Sequence, residues 1–141
     1  MFGTLVLMPS FSYSQQIPKD QCSLLSAADL EPILGTGVTP TSIGDEECRY
    51  KARAGSYEIH VKRQDGASQL KEWTQFAMTK PVAPLKDIGD EAFISKSENV
   101  VAFRKGNIAV QVSAAGVMPT APMKYQQGVI EVAKRIAAKL K

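Results

Sequence analysis

The stretch ECRYKARAGSYEIHVK, residues 47–62, alternates apolar and polar side chains on either side of one small-residue interruption. Cys48, Tyr50 and Ala52 alternate with Arg49, Lys51 and Arg53; beyond Ala54-Gly55, Tyr57, Ile59 and Val61 alternate with Glu58, His60 and Lys62. A period of two marks a half-buried strand, because successive side chains point to opposite faces of a sheet. Two such runs around a small-residue turn predict a β-hairpin. With Ala54-Gly55 as the turn, Tyr50 faces Ile59 and Cys48 faces Val61 on the inward side. Lys51 then faces Glu58, and Arg49 faces His60, on the outward side.

The same grammar recurs downstream. Residues 99–105 and 108–114 read as strands around Gly106-Asn107, which places Gly at the first central position of a type II′ turn. That register pairs Phe103 with Val110 and Val101 with Val112, while Arg104, Gln111 and Ser113 face away. Asp87-Ile88-Gly89-Asp90 reads as a turn leading to a further strand over 91–96.

Elsewhere the period lengthens to that of a helix. Ser26 and Asp29 form a capping box, Leu30, Ile33 and Leu34 follow as an apolar stripe, and Gly35 stops the turn. Pro32 keeps this helix short or kinks it. Residues 35–46, GTGVTPTSIGDE, read as a loop. Residues 67–79 place Leu70, Trp73, Phe76 and Ala77 on one side, and Pro81 and Pro84 end that helix. A final helix over 121–140 buries Val129, Ile130, Ala133, Ile136, Ala137 and Leu140. Lys124, Lys134, Arg135, Lys139 and Lys141 form its wet face, several of them complementing the C-terminal dipole. The expected order is α-β-β-α-β-β-β-α: a single α+β domain whose one antiparallel sheet, of about five strands, is covered by helices on its apolar face.

At 141 residues, 44% hydrophobic and 22% charged, the chain has ordinary globular composition, which excludes disorder and a polytopic membrane protein. A net charge of +3 with both signs interspersed falls short of a nucleic-acid-binding signature. Residues 1–14, MFGTLVLMPSFSYS, are uncharged and apolar and end in small residues at the −3 and −1 positions of a cleavage site. They read as a secretory signal peptide whose basic leading region is missing, as expected if the true start lies upstream; a disordered or core-packed apolar N-terminus is the alternative. Residues 15–141 form the domain, and no segment is long enough to span a bilayer. Two cysteines in an exported chain suggest a Cys22–Cys48 disulfide, worth roughly 3.5 kcal/mol by chain-entropy arithmetic. A lipidated Cys22 is disfavoured by the polar Lys19-Asp20-Gln21 before it. Two free thiols are the alternative for a cytosolic protein.

CSLLSAADLEPILG, ECRYK, DIGDEAF and VVAFRKGNIAVQVSA, closed by an amphipathic helix, resemble a broad group of small bacterial exported domains of unassigned function. Many of these are lipoproteins, and some are PsbP-like in fold. The resemblance implies an α+β fold and an envelope location, and it brings no catalytic residues. This chain departs from the group in lacking a lipobox.

Catalytic inventory is thin. His60 is the only histidine, on the polar face of a strand with no nucleophile placed beside it, so His60→Ala is expected to cost under about 0.5 kcal/mol. Asp45-Glu46-Glu47 and Asp87, Asp90 and Glu91 lack the alternating spacing of a calcium loop and read as turn chemistry. No catalytic residue, metal ligand or cofactor is assigned. Arg49, Lys51, His60 and Lys62 form a candidate binding face, and Trp73, Phe76, Tyr50 and Tyr57 read as core or as the lining of an apolar helix–sheet pocket. The expected function is that of a periplasmic or secreted, non-enzymatic binding or accessory module. Its partner is an envelope protein met through the polar sheet face or an uncovered strand edge. The alternatives are small-ligand binding between helix and sheet and, last, a hydrolytic enzyme.

Overall fold

The computed structural model describes residues 20–77, 82–95 and 99–140; the leader at 1–14 lies outside them. Residues 47–62 form the expected hairpin, β2 (Glu47–Ala52) and β3 (Gly55–Lys62). Its register is shifted by two: Ala52 pairs with Gly55, so Tyr50 faces Tyr57, Cys48 faces Ile59 and Arg49 faces Glu58. A shift of two keeps every side chain on its expected face but changes its partner. The cause is tertiary. Gly55 has φ of 145° and lies against Val117, whose Cα a Cβ there would approach to 2.7 Å. The turn is therefore Arg53-Ala54, and the Ala54 carbonyl accepts a bond from the Met118 amide.

The second hairpin, β6 (Val100–Lys105) and β7 (Ile108–Ala115), has the expected register, with Phe103 opposite Val110 and Val101 opposite Val112. Gly106 takes φ of 60° at its turn. With β5 (Glu91–Ser95) these strands extend into a seven-stranded antiparallel sheet. The two additional strands, β1 (Thr39–Ile43) and β4 (Val82–Leu85), are its edges, and the order is β1-β2-β3-β7-β6-β5-β4. The expectation of about five strands fails at those edges. β1 is nearly all exposed and holds Pro40, and β4 holds Pro84, so neither shows apolar alternation. Val61 N donates to Glu46 O and Ala114 N to Asn99 O. Because narrow and wide pairs alternate along antiparallel ladders, these bonds phase the whole sheet and turn both prolines' nitrogens outward. An edge tolerates proline there because the missing donor would have no ladder partner.

Helices α1 (Ala27–Leu34) and α3 (Tyr125–Lys139) cover the apolar inner face. Tyr50, Tyr57, Ile59, Val101, Phe103 and Val112 are fully buried beneath Leu30, Ile33, Val129, Val132 and Ile136. Residues 121–124 precede α3 instead of opening it, and Val132 joins the buried stripe while Ile130 is only half-buried. Helix α2 (Gly66–Glu72), prolonged by a π-type turn over Trp73–Ala77, departs from expectation. It packs on the outer face, where Leu70 and Trp73 are buried with Val100, Ala102 and Ala109. The helices thus cover both faces. β3 lies mid-sheet and β4 at the far edge, so the connection must cross β7, β6 and β5, and α1 and α3 already occupy the inner side.

The N-terminal segment is clamped redundantly. Cys22 and Cys48 are joined, with Cα atoms 5.2 Å apart. The Tyr50 hydroxyl donates to the Cys22 carbonyl at 2.9 Å and accepts from the Leu25 amide at 3.3 Å. Burial pushes its pKa up to about 12. The Gln21 amide, itself buried, donates to Ser42 Oγ, the Gly44 carbonyl and the Glu47 carbonyl. One turn on, Ser26 and Asp29 make the capping box reciprocally. Asp29 also pairs with Lys139, and its carbonyl accepts from Arg135, so two cations expected to face water instead join α3 to α1.

Replacing Cys22 and Cys48 together by Ser is expected to cost about 2–4 kcal/mol in denaturant unfolding. The sheet should remain intact by amide exchange, because Gln21 and Tyr50 still hold the segment. Loss of protection across β1 and β2 would contradict this. Asp29 carries a pH signature. The Lys139 ammonium, followed by the Ser26 amide, holds its carboxyl below its ordinary value of 3.8. A depressed folded pKa gives stability that is fully present above the unfolded value and lost as pH falls through the folded one. The stability difference between wild type and Asp29→Asn should therefore be constant above about pH 5 and shrink below the unfolded value. Urea midpoints against pH check it.

Candidate functional site

All four residues of the anticipated binding face, Arg49, Lys51, His60 and Lys62, lie on the outer face of β2 and β3, as period two requires. Pairing aligns them in rows across the strands. Ile43, Glu47, His60 and Gln111 form one row; Thr41, Arg49, Glu58 and Ser113 form the next. Thr39, Lys51, Ser56 and Ala115 form the third. Helix α2 covers the β6–β7 side, where Ala102 and Ala109 are fully buried. It leaves the β1–β2–β3 side exposed or half-buried.

Three of these four side chains stand against carboxylates, and Lys51 has no ion-pair partner among the described residues. Arg49 pairs with Glu58 at 2.8 Å, and Lys62 with Glu46 at 2.9 Å. His60 Nδ1 stands 3.6 Å from Glu47. Exposed pairs of this kind are worth about 0–1 kcal/mol, so their effect is on the surface potential far more than on stability. Arg63 reaches the Asp45 carbonyl from the end of β3.

His60 differs from the exposed strand histidine expected. It is half-buried, and its ring centroid lies 5.5 Å from that of Trp73, tilted by 54°. It makes no hydrogen bond to a hydroxyl among the described residues, and both cysteines are in the disulfide. Ser113 lies diagonally across from it over a dent of about 70 Å³ bounded also by Glu47, Glu58 and Gln111. A broader groove of about 530 Å³ runs between the end of β3 and α2, lined by polar groups including Glu46, Lys62, Gln69 and Glu72.

Of the four aromatic residues expected as core or pocket lining, the sheet divides the three described ones. Tyr50 and Tyr57 lie on the inner face under α1 and α3, while Trp73 lies on the outer face. The Phe76 side chain is outside the described residues. Tyr57 is wholly buried, its hydroxyl has no hydrogen-bond partner among the described residues, and burial raises its pKa to about 12. A Cβ on Gly128 of α3 would overlap that hydroxyl, so the helix seats directly on the ring.

Both acidic runs are accounted for by turns. Asp90 Oδ2 accepts from the Gly106 amide and from Arg104 Nη1, and Glu91 pairs with Arg104 Nε at 3.2 Å. Ile88 is buried between Asp87 and Gly89, so the DIGD motif plugs this end of the core. Asp45 and Glu46 lie in the β1–β2 turn, with Glu46 held by Lys62. No family model, curated protein or solved structure matches the chain.

His60→Ala should therefore cost about 1 kcal/mol, the scale of an aromatic pair, instead of the surface-site value. Trp73→Ala should cost about 3–5 kcal/mol. The double variant, compared with both singles by chemical denaturation, should show a coupling of about 0.5–1.5 kcal/mol. Strict additivity would mean that the ring contact contributes nothing.

Proposed function

We propose that this is an exported domain of the bacterial envelope, periplasmic or secreted, that acts by binding and not by catalysis. It meets a protein partner through the open outer face of β1, β2, β3 and β7. The observation that carries this reading is the half-covered sheet: α2 shields the β6–β7 side and leaves rows of Thr, Ser, Arg, Lys and Glu side chains on the rest. Short hydroxyl side chains lose little rotamer entropy when a partner orders them, and the paired charges can exchange partners at its surface. A strand edge is the poorer route. Pro40 and Pro84 each remove an outward donor that an added strand would use. The Cys22–Cys48 bond supports an oxidising compartment. Among the described residues no helix is long and apolar enough to cross a membrane. Kinship with small exported α+β domains, PsbP-like in fold, belongs to the same proposal, as does removal of residues 1–14.

Small-ligand binding is the second reading. The 530 Å³ groove between β3 and α2 favours it, since that volume is within the range of ligand sites. A photo-crosslinking side chain at Thr41, on the open face, should trap a protein adduct in the envelope fraction, and one at Lys134, on α3, should not. Equal adducts from both positions, or none from Thr41, would refute the face. Mass spectrometry of the natively expressed protein should find a mature N-terminus near Gln15. An intact Met1 in the cytoplasmic fraction would refute export.

A further inference from the structure

We infer that the end of the sheet formed by the β2–β3 turn and the β7–α3 loop is a docking surface for anionic lipid headgroups. Met118 is the one large hydrophobic side chain exposed among the described residues, at 51%. It projects from the β7–α3 loop, whose backbone is fastened to the β2–β3 turn by the bond from Met118 N to Ala54 O. Beside it an apolar dent of about 290 Å³ is bounded by Val117, Pro119, Lys124 and Tyr125.

The two segments that build this surface carry charge of one sign. Lys51 and Arg53 come from the hairpin tip and Lys124 from the loop, all exposed and without an ion-pair partner among the described residues. No carboxylate occurs in residues 51–57 or 113–128, the two segments that build it, or in residues 35–41 that pass alongside. The acids gather instead in the turns at the opposite ends of the strands, at Asp45, Glu46, Asp65, Asp87 and Asp90. Helix α3 begins here as well. Lys124 is its N-cap without a side-chain cap bond, and no acid stands in its first turn, so its free amides add to the positive potential.

An exposed apolar side chain ringed by cations, with a tyrosine at the rim, matches a bilayer surface, where headgroup phosphates lie above acyl chains. An acidic protein would satisfy the charges equally. It would leave Met118 and the dent to be filled by an apolar knob, and such a contact is small for a stable protein interface. A lipid surface needs no such match, which is why we commit to it. The inference goes beyond the partner-binding face. It rests on the envelope reading only for where such lipid is met, and the vesicle experiment does not depend on that location.

Full-length protein should co-sediment with phosphatidylcholine vesicles more strongly when phosphatidylglycerol is included. That increment should fall as salt is raised and the headgroup charge is screened. Arg53→Glu with Lys124→Glu should remove the increment, with each lost cation worth about fivefold in partitioning. Met118→Ser should weaken it, and Met118→Trp should shift its fluorescence to the blue on anionic vesicles as the side chain leaves water. Lys71→Glu with Lys134→Glu makes the same change in net charge elsewhere and should behave as wild type. Three results would overturn the inference: no increment with phosphatidylglycerol at low salt, an equal loss in the Lys71/Lys134 variant, or binding to polyglutamate without binding to vesicles. Failure of crosslinking at Thr41 would leave these measurements unaffected.

Discussion

The pairing of β3 with β7 is the constraint on which the rest of the structure depends. It joins two antiparallel meanders, β1-β2-β3 and β4-β5-β6-β7, into one sheet. Residues about fifty positions apart are brought into register, Ile59 against Val112 and Val61 against Val110. Closing so long a loop costs entropy that grows slowly with length, and the buried row of branched side chains along both strands offsets it. Without that pairing each meander would have an apolar face too narrow for α3. With it, Tyr57, Ile59, Val110, Val112, Val101 and Phe103 form one continuous floor.

From that pairing follows the division of the outer face. β3 ends in the middle of the sheet and β4 begins at its far edge, so the connecting segment must cross three strands. The inner side is filled by α1 and α3, and α2 therefore runs across β6 and β7 on the outer side. Small residues admit it: Ala102 and Ala109 lie beneath Leu70 and Trp73. Its length leaves β1, β2 and β3 uncovered. The candidate binding face is thus a by-product of topology, and Glu58, Glu47 and Glu46 stand against its Arg49, His60 and Lys62.

The two ends of the strands then acquire different characters. One end collects the acidic turns, whose carboxylates fasten neighbouring strands: Asp90 and Glu91 hold Arg104, and Glu46 holds Lys62. The other end carries Lys51, Arg53 and Lys124 around Met118, without ion-pair partners among the described residues. The N-terminal clamp works alongside this arrangement, since Gln21, Tyr50 and the disulfide fix α1 against the sheet before Asp29 ties it to α3.

Local chemistry by itself determined the capping box at Ser26, the Gly106-Asn107 hairpin register and the shared inward side of Cys48, Tyr50, Tyr57, Ile59, Val61, Val101, Phe103, Val110 and Val112. Periodicity and turn type depend on neighbours a few positions away, so one sequence is sufficient to read them. The Cys22–Cys48 bond was legible too, from cysteine arithmetic. Only the tertiary structure decided the register of the first hairpin, because the close approach of Gly55 to Val117 sets which residues turn. It alone decided the edge strands, whose prolines read as loop at Pro40 and as a helix stop at Pro84 until a neighbour pairs with one side of them. The outer position of α2 also belongs here, although Val100 and Ala102 in the run VVAF already hinted at cover on both faces. Arg49, Lys51, His60 and Lys62 were legible as a shared face, but the pairing of Arg49, His60 and Lys62 with carboxylates was not. Their partners Glu46, Glu47 and Glu58, and the Trp73 ring over His60, are chosen by strand register and by the path of α2. Neither is encoded within reach of those residues along the chain.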